Sequence, residues 1–289
     1  MKQLTVISGK GGTGKTSITA AFASLTKNAV FADCDVDAAD LHLIFKPEIE
    51  KTMAFHGLKI ADIDKNKCID CKKCFESCKF DAITKDIKLI KESCEGCGVC
   101  EYVCPAEAIK MIERNSGFAY ISNSRFGTMS HAMLKTAEEA SGKLVTVVRE
   151  NAKKLAEEKN KDLIIIDGPP GIGCPVIASL TGVDLVLVVT EPTLSAIHDL
   201  ERILGVANHF KIPAVVCINK FDINLDNTEK ITKYCEQNNI SVVGKLPYDT
   251  VITKAMINQK NVIEFSDGKL SNQIREMWNK IQGLLLNNG

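Results

Sequence analysis

The stretch GKGGTGKT, Gly9 to Thr16, lies between the apolar run QLTVIS and a segment whose pattern predicts a helix from about Lys15. It fits G-x-x-x-x-G-K-[ST], with Gly9, Gly14, Lys15 and Thr16 at the defining positions and with the strand before and helix after that the motif needs. Glycines at Gly9, Gly11, Gly12 and Gly14 let the backbone curve so that its N–H groups face phosphate oxygens, and the helix N-terminus adds positive potential. Lys15 is expected to neutralise the terminal phosphates and Thr16 to ligate Mg2+, with Thr13 and Ser17 completing the cradle.

Outward from this loop, short β-branched runs alternate with polar helical stretches. NAVFAD, KLVTVV, KDLIIID, VDLVLVVT, PAVVCIN and ISVVGKLP read as further strands, with helices from about Glu150 and over about Ser195 to Phe210, and two more at the C-terminus. Nearly all-apolar strands separated by helices predict a doubly wound α/β fold whose mostly parallel sheet is covered on both faces. The 289 residues, 45% hydrophobic and 25% charged, suffice for a full core and an added module. Lys+Arg and Asp+Glu are both 36, so charge gives no sign of nucleic acid or an anionic membrane, and neither partner is expected. The N-terminus lacks a secretory pattern and no apolar run reaches about 18 residues, which predicts a cytoplasmic protein.

Eight of the 12 cysteines lie between Cys68 and Cys104. Cys68, Cys71, Cys74 and Cys78 are spaced C-x2-C-x2-C-x3-C; Cys94, Cys97, Cys100 and Cys104 repeat the spacing, with Pro105 after the last. This is the run of bacterial two-cluster ferredoxins, in which the fourth cysteine of each run serves the other cluster. One 4Fe-4S cluster is therefore expected on Cys68, Cys71, Cys74 and Cys104, and a second on Cys94, Cys97, Cys100 and Cys78. Zinc also accepts C-x2-C pairs, but the doubled spacing fits it poorly. Residues 59–113 are Cys-rich and poor in long apolar runs. The sequence thus divides into the first part of a P-loop nucleotide domain at 1–58, an inserted small α+β ferredoxin-like module at 59–113, and the second part of the nucleotide domain at 114–289. The matching halves CIDCKKCFESCKFDAI and CEGCGVCEYVCPAEAI predict two-fold pseudosymmetry within the module. Cys34 and Cys217 fall in apolar runs and are expected in the core.

Lys10 is a second lysine that the minimal motif does not demand. With it, KGGTGKT resembles the deviant Walker A motif of the MinD/ParA/nitrogenase-iron-protein group, and the chain as a whole resembles MinD-superfamily ATPases carrying an inserted ferredoxin domain. In that group the first lysine reaches the partner subunit's phosphates across a nucleotide-sandwich dimer, so the resemblance implies an ATP-dependent homodimer with Lys10 in that role. It also implies Asp35, in FADCDVD, as orienter of the attacking water, with Asp33 and Asp37 near the metal. Asp167, in LIIIDGPPG, would hold Mg2+ through water, ahead of a switch loop freed by Gly171. Lys10, Lys15, Asp35 and Asp167 form the expected catalytic set. INKFD supplies Asn219, Lys220 and Asp222, which match the N-K-x-D guanine motif of many GTPases. The resemblance favours ATP, with Asn219 beside adenine and Pro247 to Asp249 as a second loop at the base edge.

Cys174 lies seven residues after Asp167, the offset of an intersubunit-cluster cysteine in the nitrogenase iron protein. With no cysteine between Cys104 and Cys174, a small packed residue is expected there, and a thiol or metal role at a dimer axis is the alternative. The C-terminal LSNQIREMWNKIQGLLL reads as an amphipathic helix whose stripe of Leu270, Ile274, Met277, Trp278 and Ile281 faces the core rather than a membrane. The combined expectation is an ATP-hydrolysing protein that couples nucleotide state to electron transfer or metal-cofactor handling, with an unidentified redox or metal-cofactor protein as partner. The alternative is a cluster carrier or scaffold like the Mrp-type iron-sulfur assembly proteins, without a redox role.

Overall fold

The structure, a computed structural model, describes residues 1–135 and 141–287. The chain divides into a larger unit, Met1–Thr52, Ala119–Ala132 and Gly142–Gly289, and a smaller one, Met53–Phe118 and Met133–Ser141. Nine strands are formed among the described residues: β1 (Lys2–Ser8), β2 (Ala29–Asp33), β3 (Glu48–Ile63), β4 (Ile109–Ser124), β5 (Gly127–Leu134), β6 (Leu163–Pro170), β7 (Leu185–Thr190), β8 (Ala214–Asn219) and β9 (Ser241–Leu246).

In the larger unit the strands run in the order β5-β2-β6-β1-β7-β8-β9, and β1 is parallel to both β6 and β7. The chain leaves β1 toward β2 on one side and leaves β6 toward β7 on the other, so β1 sits at the reversal of strand order. In such sheets the crevice beyond the strand ends is the ligand site. Every residue of β2 and of β7 is buried, as expected for strands covered on both faces. Helix α1 (Lys15–Leu25) and a C-terminal helix described below supply part of that cover: Phe22 lies 4.6 Å from Trp278, ring centroid to centroid. Leu270, Ile274, Met277, Trp278 and Ile281 are all buried, so the C-terminal stripe is core. Cys34 and Cys217 are fully buried as well.

Two sequence expectations are corrected. KLVTVV is helical: it lies within a helix over Ser141–Glu158, which therefore begins well before Glu150. Leu144, Val145, Val148, Ala152, Leu155 and Ala156 are its buried residues, and their spacing is that of one helical face; a six-residue stretch with four apolar residues fits either period. Among the described residues the C-terminal region after β9 holds three helices, Val251–Ile257, Val262–Phe265 and Lys269–Asn287, where two were expected. A capping box at Asn261 starts the extra one, its side chain accepting from Ile263 and Glu264 N–H while Glu264 accepts from the Asn261 N–H. The hairpin of β4 and β5 around Arg125 and Phe126, and the long β3, were not anticipated.

The smaller unit gathers the end of β3, the start of β4, and short helices α2 (Lys73–Ser77) and α3 (Val99–Tyr102). Its core joins Ile60, Ile83, Ile87 and Ile109 to Cys74 and Cys94, with Cys68, Cys78, Cys100 and Cys104 packed against them. The two halves share backbone geometry. Asp70, Lys72 and Asp81 in the first half and Gly96, Gly98 and Glu107 in the second occupy matching places and all have positive φ. No helix among the described residues is long and apolar enough to cross a membrane.

Candidate functional site

The phosphate loop leaves β1 at Ser8 and enters α1 at Lys15. Gly14 stands at φ 94, and a Cβ there would lie 2.5 Å from Asn219 Nδ2; glycine alone satisfies both constraints. Asn219 braces the loop, its Nδ2 donating to the Thr13 carbonyl at 2.7 Å. Lys220 Nζ donates to the Gly12 carbonyl and pairs with Glu191 Oε2, each at 3.1 Å. Two of the residues expected at the base thus hold the phosphate loop. Glu191, the ion-pair partner of Lys220, carried no sequence signal.

Lys15 is 7% exposed and its Nζ donates to Asp35 Oδ2 at 2.6 Å. Burial opposes its charge, but Asp167, Asp35 and Asp33 outweigh burial and raise its pKa. Parallel register pairs Asp33 with Asp167 on neighbouring strands. Burial, then repulsion from Asp167 and Asp35, pushes Asp33 well above the usual carboxylate range. Burial raises Asp167 too, against the pull of Lys15 and of hydrogen bonds from Thr16 and Thr19. Three carboxylates thus share one lysine. Oδ2 of Asp33, Oδ2 of Asp167 and Oγ1 of Thr13 are buried without a hydrogen-bond partner among the described residues. Surplus buried oxygen beside a phosphate cradle fits a hard divalent cation, and Thr16, Asp35 and Asp167 are the residues that would hold it.

A cavity of about 460 Å³ opens along the loop, a size suited to a small-molecule ligand. Gly11, Gly12, Gly14, Lys15, Thr16, Ser17, Asp35, Asn219, Lys220 and Pro247 line it, whereas Gly9, Lys10, Thr13, Asp167 and Asp222 are outside its lining. Gly9 packs where a Cβ would meet Asp199 Cβ at 2.3 Å. Lys10 is exposed, and no side-chain hydrogen bond or ion pair engages its amine among the described residues. Asp222 Oδ1 accepts from the Tyr248 N–H at 2.7 Å. Tyr248, Ile252 and Met256 complete the apolar wall. Tyr248 lies in the Pro247 to Asp249 loop expected at the base edge, whereas Ile252 and Met256 were missed because they form no motif.

The eight clustered cysteines line two small cavities. Cys68, Cys71, Cys74 and Cys104 line one, with Ile87, Ala108 and Ile109. Cys78, Cys94, Cys97 and Cys100 line the other, with Ala61, Leu89 and Met111. Each set draws three cysteines from one run and the fourth from the other. The left-handed residues turn each loop inward, and at Gly96 a Cβ would meet the Lys59 carbonyl oxygen at 2.4 Å. Burial raises the Cys74 thiol, with Cys68 and Cys104 adding to it, and burial raises Cys100, with Cys94 and Cys97 adding to it. Ala108 N–H donates to Cys104 Sγ at 3.3 Å. Among the described residues no three His, Cys, Asp or Glu side chains are gathered about one metal ion. Four cysteine sulfurs around one cavity are the donor type and number that a 4Fe-4S cluster takes.

Cys174 corrects an expectation: it is exposed, at the start of the helix Cys174–Leu180, and is not a packed core residue. The preceding Gly171 to Gly173 loop carries it out of the sheet, so the apolar neighbours of its sequence do not cover it.

Residues 4–262 match the family described as CobQ/CobB/MinD/ParA nucleotide binding domain. The chain is 36% identical over 283 residues to an uncharacterised protein of Methanocaldococcus jannaschii, covering 97% of this chain and 96% of that one. A shorter match, 45% identical over 49 residues, covers 17% of this chain and 60% of pyruvate synthase subunit PorD from Methanothermobacter marburgensis. Among solved structures, the septum site-determining protein MinD of Pyrococcus horikoshii, complexed with Mg-ADP, superposes with TM-score 0.58 at 15% identity over 100% of this chain and 98% of that one. That likeness is one of fold.

Proposed function

Because the chain belongs to the CobQ/CobB/MinD/ParA nucleotide-binding family, we propose that its phosphate loop is a Mg2+-dependent ATPase site whose state is coupled to two 4Fe-4S clusters in an inserted ferredoxin-like module. The observation that carries this reading is the sorting of eight cysteines into two four-cysteine cavities, each completed by the other run. The partial likeness to pyruvate synthase subunit PorD supports it.

At the nucleotide site, Lys15 exchanges Asp35 for the terminal phosphates, and the released Asp35 carboxylate orients water. Asp167 and Thr16 hold the cation side of the phosphates. Lys10, exposed and unengaged, reaches the nucleotide of a second copy, which makes the active form a homodimer. ATP is favoured over GTP because Asp222 spends one carboxylate oxygen on Tyr248 and does not line the cavity. When bound, the clusters supply one-electron storage and transfer. The chain passes from Asp35 and Asp37 through β3 into the smaller unit, so the segment expected to sense the γ-phosphate is continuous with the cluster loops.

The test is an EPR-monitored redox titration of anaerobically purified protein without nucleotide, with ADP and with a non-hydrolysable ATP analogue. A shift of about 60 mV, tenfold for one electron, between nucleotide states supports coupling. Equal potentials refute equilibrium coupling, and release of clusters to an apo-acceptor places the protein among carriers instead.

A further inference from the structure

A sizeable cavity of the smaller unit belongs to neither site. It measures about 720 Å³ and is built from the end of β3, the Ile87 to Glu92 segment, the start of β4 and Lys135. Ile60, Ile63, Ile87, Leu89 and Ile112 give it an apolar floor, and Lys65, Lys88, Lys91, Arg114 and Lys135 reach its lining. Five basic side chains face three carboxylates there, Asp62, Glu92 and Glu113, and Glu113 is also 3.3 Å from His56. Lys65 Nζ donates to the Ile87 carbonyl, Arg114 donates to the carbonyls of Lys91 and Cys94, and Lys135 donates to that of Asn115. Lys88 and Lys91 are exposed and have no carboxylate partner among the described residues.

The walls of this cavity are shared. Ile87 also lines the cavity of Cys68, Cys71, Cys74 and Cys104, and Leu89 also lines that of Cys78, Cys94, Cys97 and Cys100. Ala61 also lines the second of these, so an occupant shares wall residues with each cysteine set. Ile87 is a β-branched residue at φ 52, a left-handed position that such residues avoid. It is held there by its N–H on the Thr84 carbonyl at 2.8 Å and by Lys65 on its own carbonyl. Glycine would relieve the backbone and remove the partition, so the strain coincides with a side chain that divides two cavities.

We propose that this cavity binds a small organic anion with an apolar body, its acidic group toward Lys88 and Lys91 and its body against Ile87, Leu89 and Ile112. Its volume suits such a ligand, and an apolar floor under a cationic rim is the complement of one. The inference deepens the electron-transfer reading, on which it rests for the neighbouring clusters but not for the cavity.

The test uses the full chain, loaded anaerobically, with iron content and EPR spectra recorded before calorimetric titration with 1-anilinonaphthalene-8-sulfonate. The expected result is one site per chain, insensitive to saturating ADP, and weakened about tenfold by Lys88→Gln with Lys91→Gln. Ile112→Trp, which fills the floor, should block it. Absence of binding, competition by ADP, or undiminished affinity in the double variant and in Ile112→Trp overturns the proposal. Loaded protein that fails to bind refutes the anion site alone, whereas protein that takes up no iron refutes the cluster reading whatever the calorimeter records.

Discussion

Asp35→Asn removes the charge that holds Lys15 in the unliganded site. The Lys15 Nζ to Asp35 Oδ2 contact is 2.6 Å between side chains only 8% and 9% exposed, and a hydrogen bond between charged groups contributes about 1.5–3 kcal/mol. Asparagine keeps an acceptor oxygen, and Asp167 and Asp33 still attract the lysine, so we expect only about 1 kcal/mol of that restraint to be lost. Binding of ADP without Mg2+ should tighten by about fivefold, because Lys15 no longer has to leave a carboxylate to meet phosphate. Loss of one negative charge beside the phosphates acts in the same direction. The assay is calorimetric titration of ADP in EDTA, followed by steady-state ATP hydrolysis with Mg2+. Hydrolysis should fall by about a hundredfold or more if Asp35 orients water. Unchanged or weaker Mg-free ADP affinity would refute the competition between Asp35 and phosphate for Lys15.

Gly14→Ala places a Cβ at φ 94 and 2.5 Å from Asn219 Nδ2; a loss of about 2 kcal/mol in unfolding free energy and abolished nucleotide binding are expected, and a variant that binds ADP normally would contradict the loop geometry. His131 accepts or donates to Ser122 through Nε2 at 2.8 Å and is lowered to about 4 by burial first and then by His42. Its folded pKa is depressed, so the stability it confers is present above pH 6.5, its ordinary value, and is lost as pH falls toward 4. Denaturation midpoints of His131→Gln should lack that loss, and parallel pH profiles would exclude it. Trp278→Ala should cost about 3–5 kcal/mol, whereas Trp278→Phe should cost much less, because the indole N–H is buried without a partner among the described residues; equal costs in guanidinium melts would show that the N–H matters.

Much of the nucleotide half was readable because its physical demands are local. A phosphate loop needs glycines, a lysine and a hydroxyl at fixed spacing, and fully covered strands need continuous apolar runs, so β1, β2, β6, β7, β8 and β9 stand where the composition changes. KLVTVV was misread because four apolar residues in six satisfy a strand and the first turns of a helix equally, and burial over the following ten residues decided it. The β4 and β5 hairpin escaped because its strands mix serines, glycines and a histidine, and no apolar run announces them.

The residues at the candidate sites divide in the same way. Spacing singled out the eight clustered cysteines and sorted them into the two sets that line the two small cavities. It did not reveal that Asp70 and Lys72 adopt the left-handed geometry that Gly96 and Gly98 adopt with less strain, or that Ile87 partitions two cavities. Cys174 shows the limit most plainly, for the lack of a second ligand cysteine suggested a small packed residue and the loop turned it outward. The sequence by itself determined the motif chemistry and the parallel α/β class, because those depend on short-range spacing and on which residues avoid water. Only the tertiary structure decided that Lys15 is shared by three carboxylates, that Asn219 and Lys220 brace the phosphate loop, and that an anion-suited cavity lies against both cysteine sets. Those contacts join residues far apart in the chain, and their energies depend on burial that no local pattern encodes.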